Sequence, residues 1–147
     1  MRLEALGFDQ VAEYVGGKSD WLAHGLPREG KTASIPYAGD LVDPDPPVCA
    51  ASTQLADVSA MLARSSYGYC LVLNEERIIL GRVRRSAIAG ADSREPAESV
   101  MEPGPSTVRP NTRVEELVER LSRQQLKTAV VATPRGRLIG VFHRDRV

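Results

Sequence analysis

The feature that most constrains this chain is an internal repeat. Sliding the sequence by 59 positions lays residues 48–88 on 107–147 without a gap, placing Thr53 on Thr112, Leu62 on Leu121, Val72 on Val131, Gly81 on Gly140 and Arg85 on Arg144. Identity is low, so the shared apolar pattern carries the relation. In each copy a short β-like segment, VCA or TVR, is followed by Ser52-Thr53 or Asn111-Thr112, residues suited to cap a helix. Leu55, Val58 and Leu62 then recur at the i, i+3, i+7 spacing of one buried helical face, as do Val114, Leu117 and Leu121. Two apolar runs around a polar turn, YCLVL-NEER-IILGRV and TAVVA-TPRG-RLIGVF, predict a pair of strands in each copy. A second short helix is predicted at RRSAIAG, while the second copy ends at Val147 where its own should begin. One such unit is too small to cover its sheet, so two copies predict pseudo-twofold packing, sheet against sheet, with equivalent clefts between them.

Composition narrows the function classes. At 147 residues the chain can form one domain or two very small ones. No apolar run approaches the ~20 residues that span a bilayer, and the start MRLEALGFDQ lacks a signal-peptide pattern. The expectation is a soluble, cytoplasmic protein. Nineteen basic and nineteen acidic residues cancel, which argues against nucleic acid or an anionic membrane as partner; any bound anion has to be held by a local cluster. Cys49 and Cys70 make neither a disulfide framework nor zinc-ligand spacing, and no metal site is expected.

The chain divides into residues 1–30, which hold Phe8, Tyr14 and Trp21, a proline-containing stretch 31–46 that reads as a linker, and the duplicated region 47–147. The stretches from Val48 to Leu62, YCLVLNEERIILGRVRRSAI and ESVMEPGPSTVRPNTRVEELVERL resemble the CBS domain pair, or Bateman module. The resemblance implies an α/β (α+β) fold of tandem β-α-β-β-α motifs, 47–92 and 99–147, packed as a pseudo-twofold pair with the last helix truncated. Residues 2–30 look like the C-terminal end of a rhodanese-like sulfurtransferase domain, without the persulfide-forming cysteine that the family carries upstream.

The CBS resemblance implies an adenosyl ligand, AMP, ADP, ATP or S-adenosylmethionine, in a cleft between the copies. Carried over residue by residue, the second site comprises Thr107, Val108, Lys127, Thr128 and Ala129 around the adenine, with His143 and Asp145 at the polar end. The first site comprises Val48, Cys49, Tyr69, Cys70, Arg84 and Ser86. The family pattern Thr/Ser-x-x-Asp is not kept: Asp145 stands one residue early, which turns its side chain by about 100°, and the first copy has no acid there. Arg82 and Arg84 share a strand face and Arg85 follows at a helix start, an arrangement that suits ion pairing with Glu75, Glu76 or a partner chain, with phosphate contact as the alternative. Both cysteines fall in strands, away from any thiolate-stabilising loop. The resulting expectation is a homodimeric, non-enzymatic sensor binding an adenosyl ligand. The alternatives are a ligand-free structural or dimerisation module left from a rhodanese–CBS fusion, and an active sulfurtransferase.

Overall fold

The first apolar run of each copy folds into a strand buried on both faces. A computed structural model describes residues 7, 15–30 and 34–147; Phe8 and Tyr14 lie outside them. β3 (Tyr69–Leu73) and β7 (Thr128–Ala132) are buried at every residue after the first. Side chains alternate along a strand. Cys70 and Val72 therefore share one face, toward α2 (Leu55–Ala63), whose Leu55, Val58 and Leu62 are buried as the period predicts. Ala129 and Val131 likewise pack with Val114, Leu117 and Leu121 of α4 (Val114–Arg123). On the other face Leu71 and Leu73 of the first copy share one core with Val130, Leu138 and Val141 of the second. Two-sided burial is why these strands read as unbroken apolar runs.

The two sheets repeat each other bond for bond. The first has the order β2 (Val48–Cys49), β3, β4 (Ile79–Arg84), β5 (Glu102–Pro103); the second runs β6 (Thr107–Val108), β7, β8 (Leu138–His143), β1 (Val42–Asp43). β2 is parallel to β3 and β6 to β7, while the hairpins β3–β4 and β7–β8 have matching registers, Tyr69 opposite Arg84 and Thr128 opposite His143. α3 (Arg85–Ile88) follows β4, and a 3-10 turn, Arg144–Arg146, occupies the corresponding place after β8. α1 (Gly17–Ala23) docks beside the second motif, where Leu22 is buried and Trp21 and Tyr37 wall a cavity of about 620 Å³ with Arg113 and Glu116. Arg28 ties this segment down through Asp40, 2.9 Å away.

The edge strands are exchanged. β5 lies ahead of the second motif in sequence yet completes the first sheet; β1, ahead of the first motif, completes the second. The backbone bonds are reciprocal: Leu55 N–H donates to Glu95 O (2.9 Å) and Val114 N–H to Pro36 O (3.2 Å), while Ala97 N–H donates to Thr53 O (2.7 Å) and Ala38 N–H to Thr112 O (2.8 Å). These carbonyls, and not Ser52, Thr53, Asn111 or Thr112 side chains, meet the first amide of each helix; neither helix has a side-chain cap. Thr53 instead closes its own turn, accepting from Ala50 N–H at 3.1 Å. Residues 36–43, within the stretch that reads as a linker, are thus part of the folded pair.

Gly81 and Gly140 let the exchanged strands approach. A Cβ at Gly81 would stand 2.5 Å from Glu102 O, and one at Gly140 2.5 Å from Asp43 O and 2.8 Å from the Val42 Cβ. Both clashes involve backbone that the ladder fixes. Gly81→Ala and Gly140→Ala are each expected to lower stability by about 1–3 kcal/mol, the range for overpacking, whereas Gly68→Ala, with open space around it, changes little; urea unfolding midpoints measure the difference.

Candidate functional site

The pseudo-twofold brings equivalent residues face to face. At one end the hydroxyls of Tyr69 and Thr128, 59 residues apart, lie 3.2 Å from each other. At the other, the hairpin turns exchange backbone bonds: Ile79 N–H donates to Gly136 O and Leu138 N–H to Arg77 O, both at 3.0 Å. Beside the Tyr69–Thr128 contact opens a cleft of about 380 Å³, near the lower end of the usual range for small-molecule sites. Of the residues expected from the sequence, Tyr69, Lys127, Thr128, His143 and Asp145 line it together.

Two further side chains organise this cleft. Tyr67, buried just ahead of β3, donates its hydroxyl hydrogen to Asp43 Oδ2 at 2.8 Å, and its oxygen lies 2.7 Å from His143 Nε2. A phenol has one hydrogen to give, so with Asp43 ionised His143 donates from Nε2–H, and the chain runs imidazole to phenol to carboxylate. The tyrosine bond holds the Asp43 carboxyl below its ordinary value. Burial, reinforced by Asp43, pushes the Tyr67 phenol up. Burial and the nearby Arg146 push His143 down, favouring the neutral ring. Asp145 is exposed and sits 3.4 Å from Arg144 Nε.

The positions related to these by the pseudo-twofold carry different chemistry. Arg84 corresponds to His143, Glu102 to Asp43 and Leu126 to Tyr67. Leu126 is 48% exposed and offers no ring in the place that Tyr67 fills. Arg82 Nε and Arg84 Nε contact the two oxygens of Glu102 at 2.9 and 2.7 Å, and the Arg82 guanidinium lies 6.0 Å from the Tyr69 ring centre. The arginines do pair, but with Glu102 and not with Glu75 or Glu76. Arg85 departs from the sequence expectation: its guanidinium donates to Leu62 O (2.6 Å) and Tyr67 O (3.0 Å), closing the C-terminal end of α2.

The remaining expected residues are scattered by burial. Thr107 and Ser86 are exposed and Val48 half-buried. Val108, Ala129 and Cys70 are buried in the two cores, which leaves only their backbone to meet a ligand. Cys49 is half-buried, and the hydrogen bond from Cys70 holds its thiol below the ordinary value. That bond, together with burial, pushes Cys70 up. Asp43, Tyr67 and Glu102 were missed by the sequence reading. Extending the 59-residue offset ahead of Val48 pairs Asp43 with Glu102 and would have found both carboxylates. Among the described residues no group of three or more His, Cys, Asp or Glu side chains is placed to hold a metal ion, and no helix is long and apolar enough to cross a membrane.

Residues 38–94 and 97–147 each match the family model described as CBS domain. No curated protein matches the sequence. Among solved structures, the cytosolic domain of the Mg2+ channel MgtE in complex with ATP is 23% identical with a TM-score of 0.67, covering 77% of this chain and 48% of that one. The cystathionine β-synthase pair domain of a putative Mg2+ transporter from Shewanella oneidensis MR-1 is 21% identical (TM-score 0.68; 77% and 68% covered). CBSX2 in complex with AMP is 21% identical (TM-score 0.66; 75% and 91%). This chain spans about half of the MgtE domain's length, and at these identities the likeness establishes the fold.

Because His143 binds a proton less readily when folded than its ordinary value of 6.5, its contribution to stability is complete above that value and is lost as pH falls through the folded one. Asp43, lowered from 3.8, acts with the same sign further into acid. Thermal unfolding from pH 8 to 4 should show stability falling below pH 6.5, and His143→Gln should flatten the upper part of that slope. Tyr67→Phe should cost about 1–3 kcal/mol, since it removes a hydroxyl that serves two partners.

Proposed function

The chain belongs to the CBS domain family, as a tandem pair, and from that premise we propose that it is a non-enzymatic regulatory module binding an adenine nucleotide or related adenosyl ligand between its two motifs. The observation that carries this reading is the cleft beside Tyr69 and Thr128, where the rings of Tyr67 and Tyr69 meet Lys127, His143, Asp145 and Arg146. The two tyrosine rings suit the faces of a purine, and strand-end amides suit its edge. Asp145 is the acceptor for ribose hydroxyls, and Lys127 and Arg146 face the phosphate. The MgtE and CBSX2 relatives in complex with ATP and AMP support the ligand class. Ligand occupying the cleft favours one arrangement of the two copies, and the resulting population shift is the signal passed to a partner. The protein acts as a cytoplasmic homodimer, and residues 1–30 are rhodanese-like.

One observation favours the other reading, a ligand-free scaffold: Tyr67 already fills part of the second cleft and engages His143. Calorimetric titration separates the two. AMP, ADP, ATP or S-adenosylmethionine should bind in the micromolar range, and Asp145→Asn with Lys127→Gln should weaken the preferred ligand by about tenfold, the scale of hydrogen bonds to charged groups. No heat with any of the four favours the scaffold. Light scattering should give about twice the 16.0 kDa chain mass, and thiosulfate-to-cyanide transfer should be absent.

A further inference from the structure

The site of Arg84 and Glu102 and the cleft beside Tyr69 and Thr128, to which the pseudo-twofold relates it, share a scaffold and differ in charge. In the second, the carboxylate at the exchanged strand is joined to a neutral imidazole through a phenol, His143 to Tyr67 to Asp43, with one guanidinium, that of Arg146, 3.6 Å from Asp43 Oδ2. In the first, Leu126 stands where Tyr67 would be, and the carboxylate of Glu102 meets two guanidinium groups directly. Glu102 and Arg82 are cross-strand partners on β5 and β4, and Arg84 is the cross-strand partner of Tyr69 on β3. The side chains are open to solvent, with Arg84 49% and Glu102 48% exposed. Each arginine contacts Glu102 through Nε, and a guanidinium has five N–H donors in a fork shaped for an oxyanion. Two arginines against one carboxylate leave a net positive charge beside the Tyr69 ring.

We infer that Glu102 sets the affinity and ligand class of the first cleft: it is an internal anion with which the phosphate of a nucleotide competes for Arg82 and Arg84. This rests on the adenine-nucleotide reading for its ligand and deepens it. The cleft takes phosphorylated nucleotides in preference to neutral adenosine or to the sulfonium cation of S-adenosylmethionine, which the two arginines repel. Binding weakens the hold of Glu102 on β4, and since Glu102 lies on the exchanged strand, phosphate at the cleft is felt by the segment joining the motifs.

The test is calorimetric titration of the wild-type protein, Glu102→Gln, and the Glu102→Gln/Arg84→Gln double variant with ATP, adenosine and inorganic tripolyphosphate. Glu102→Gln is nearly isosteric and exposed, and circular dichroism is the check that it folds. It should bind ATP and tripolyphosphate roughly fivefold more tightly than wild type, the scale of an exposed ion pair, with adenosine unchanged and the gain abolished in the double variant. Unchanged or weaker binding of both phosphates by Glu102→Gln overturns the inference, as does a gain that survives loss of Arg84, or no tripolyphosphate binding by either protein. Tighter tripolyphosphate binding without any affinity for adenosine or added affinity from the adenine of ATP would sink the adenine reading and leave the role of Glu102 standing.

Discussion

Everything in this structure depends on backbone hydrogen bonds between each motif and the segment that precedes the other. They complete both sheets, satisfy the first amide of α2 and α4, and bring Asp43 and Glu102 to the strand ends where the clefts open. Buried amides without partners would cost more than most side-chain contacts return, so these bonds fix the relative placement of the two copies firmly. Gly81 and Gly140 are the steric condition for them. The apolar core then follows, because only with the sheets in this register do Leu71 and Leu73 face Val130 and Val141.

Within that frame the two clefts diverge through single residues. Position for position, Arg84 and His143, Glu102 and Asp43, Leu126 and Tyr67 occupy matching places, yet one trio yields exposed charge and the other a part-buried chain of hydrogen bonds. The backbone imposes symmetry; the side chains break it. A pair of sites on this scaffold can therefore differ in charge and pH response without any change of fold.

The duplication, both long helices and both hairpins were legible because their signals are local: apolar period and turn chemistry at a fixed offset. Leu55, Val58 and Leu62 are buried as the spacing requires, and the charges of α4 sit outside, with Glu119 paired to Arg123. The exchange was not legible. Val42–Asp43 is two residues of strand held by partners about a hundred positions away, and nothing in PYAGDLVDPDPP announces such a partner. The same non-local origin hid Glu102 behind Arg82 and Arg84, and Tyr67 behind His143. It also explains why Thr53 and Thr112 misled as caps, since carbonyls from distant segments took that role. Arg85 does begin a helix, as expected, but its guanidinium turns to the end of α2: whether such a group faces solvent or a neighbouring helix is decided by packing, and its strand neighbours Arg82 and Arg84 give no hint of the difference.

The crossing of leading strands has an implication for how such a molecule came to be. One copy alone would carry a spare strand and a bare sheet edge, and it could satisfy both only by trading arms with a twin. Joining two copies head to tail turns that encounter between molecules into a step within one chain, with an effective concentration set by the tether and independent of how much protein the cell makes. Once the trade is internal, each half is free to drift, because the two edges no longer have to match themselves.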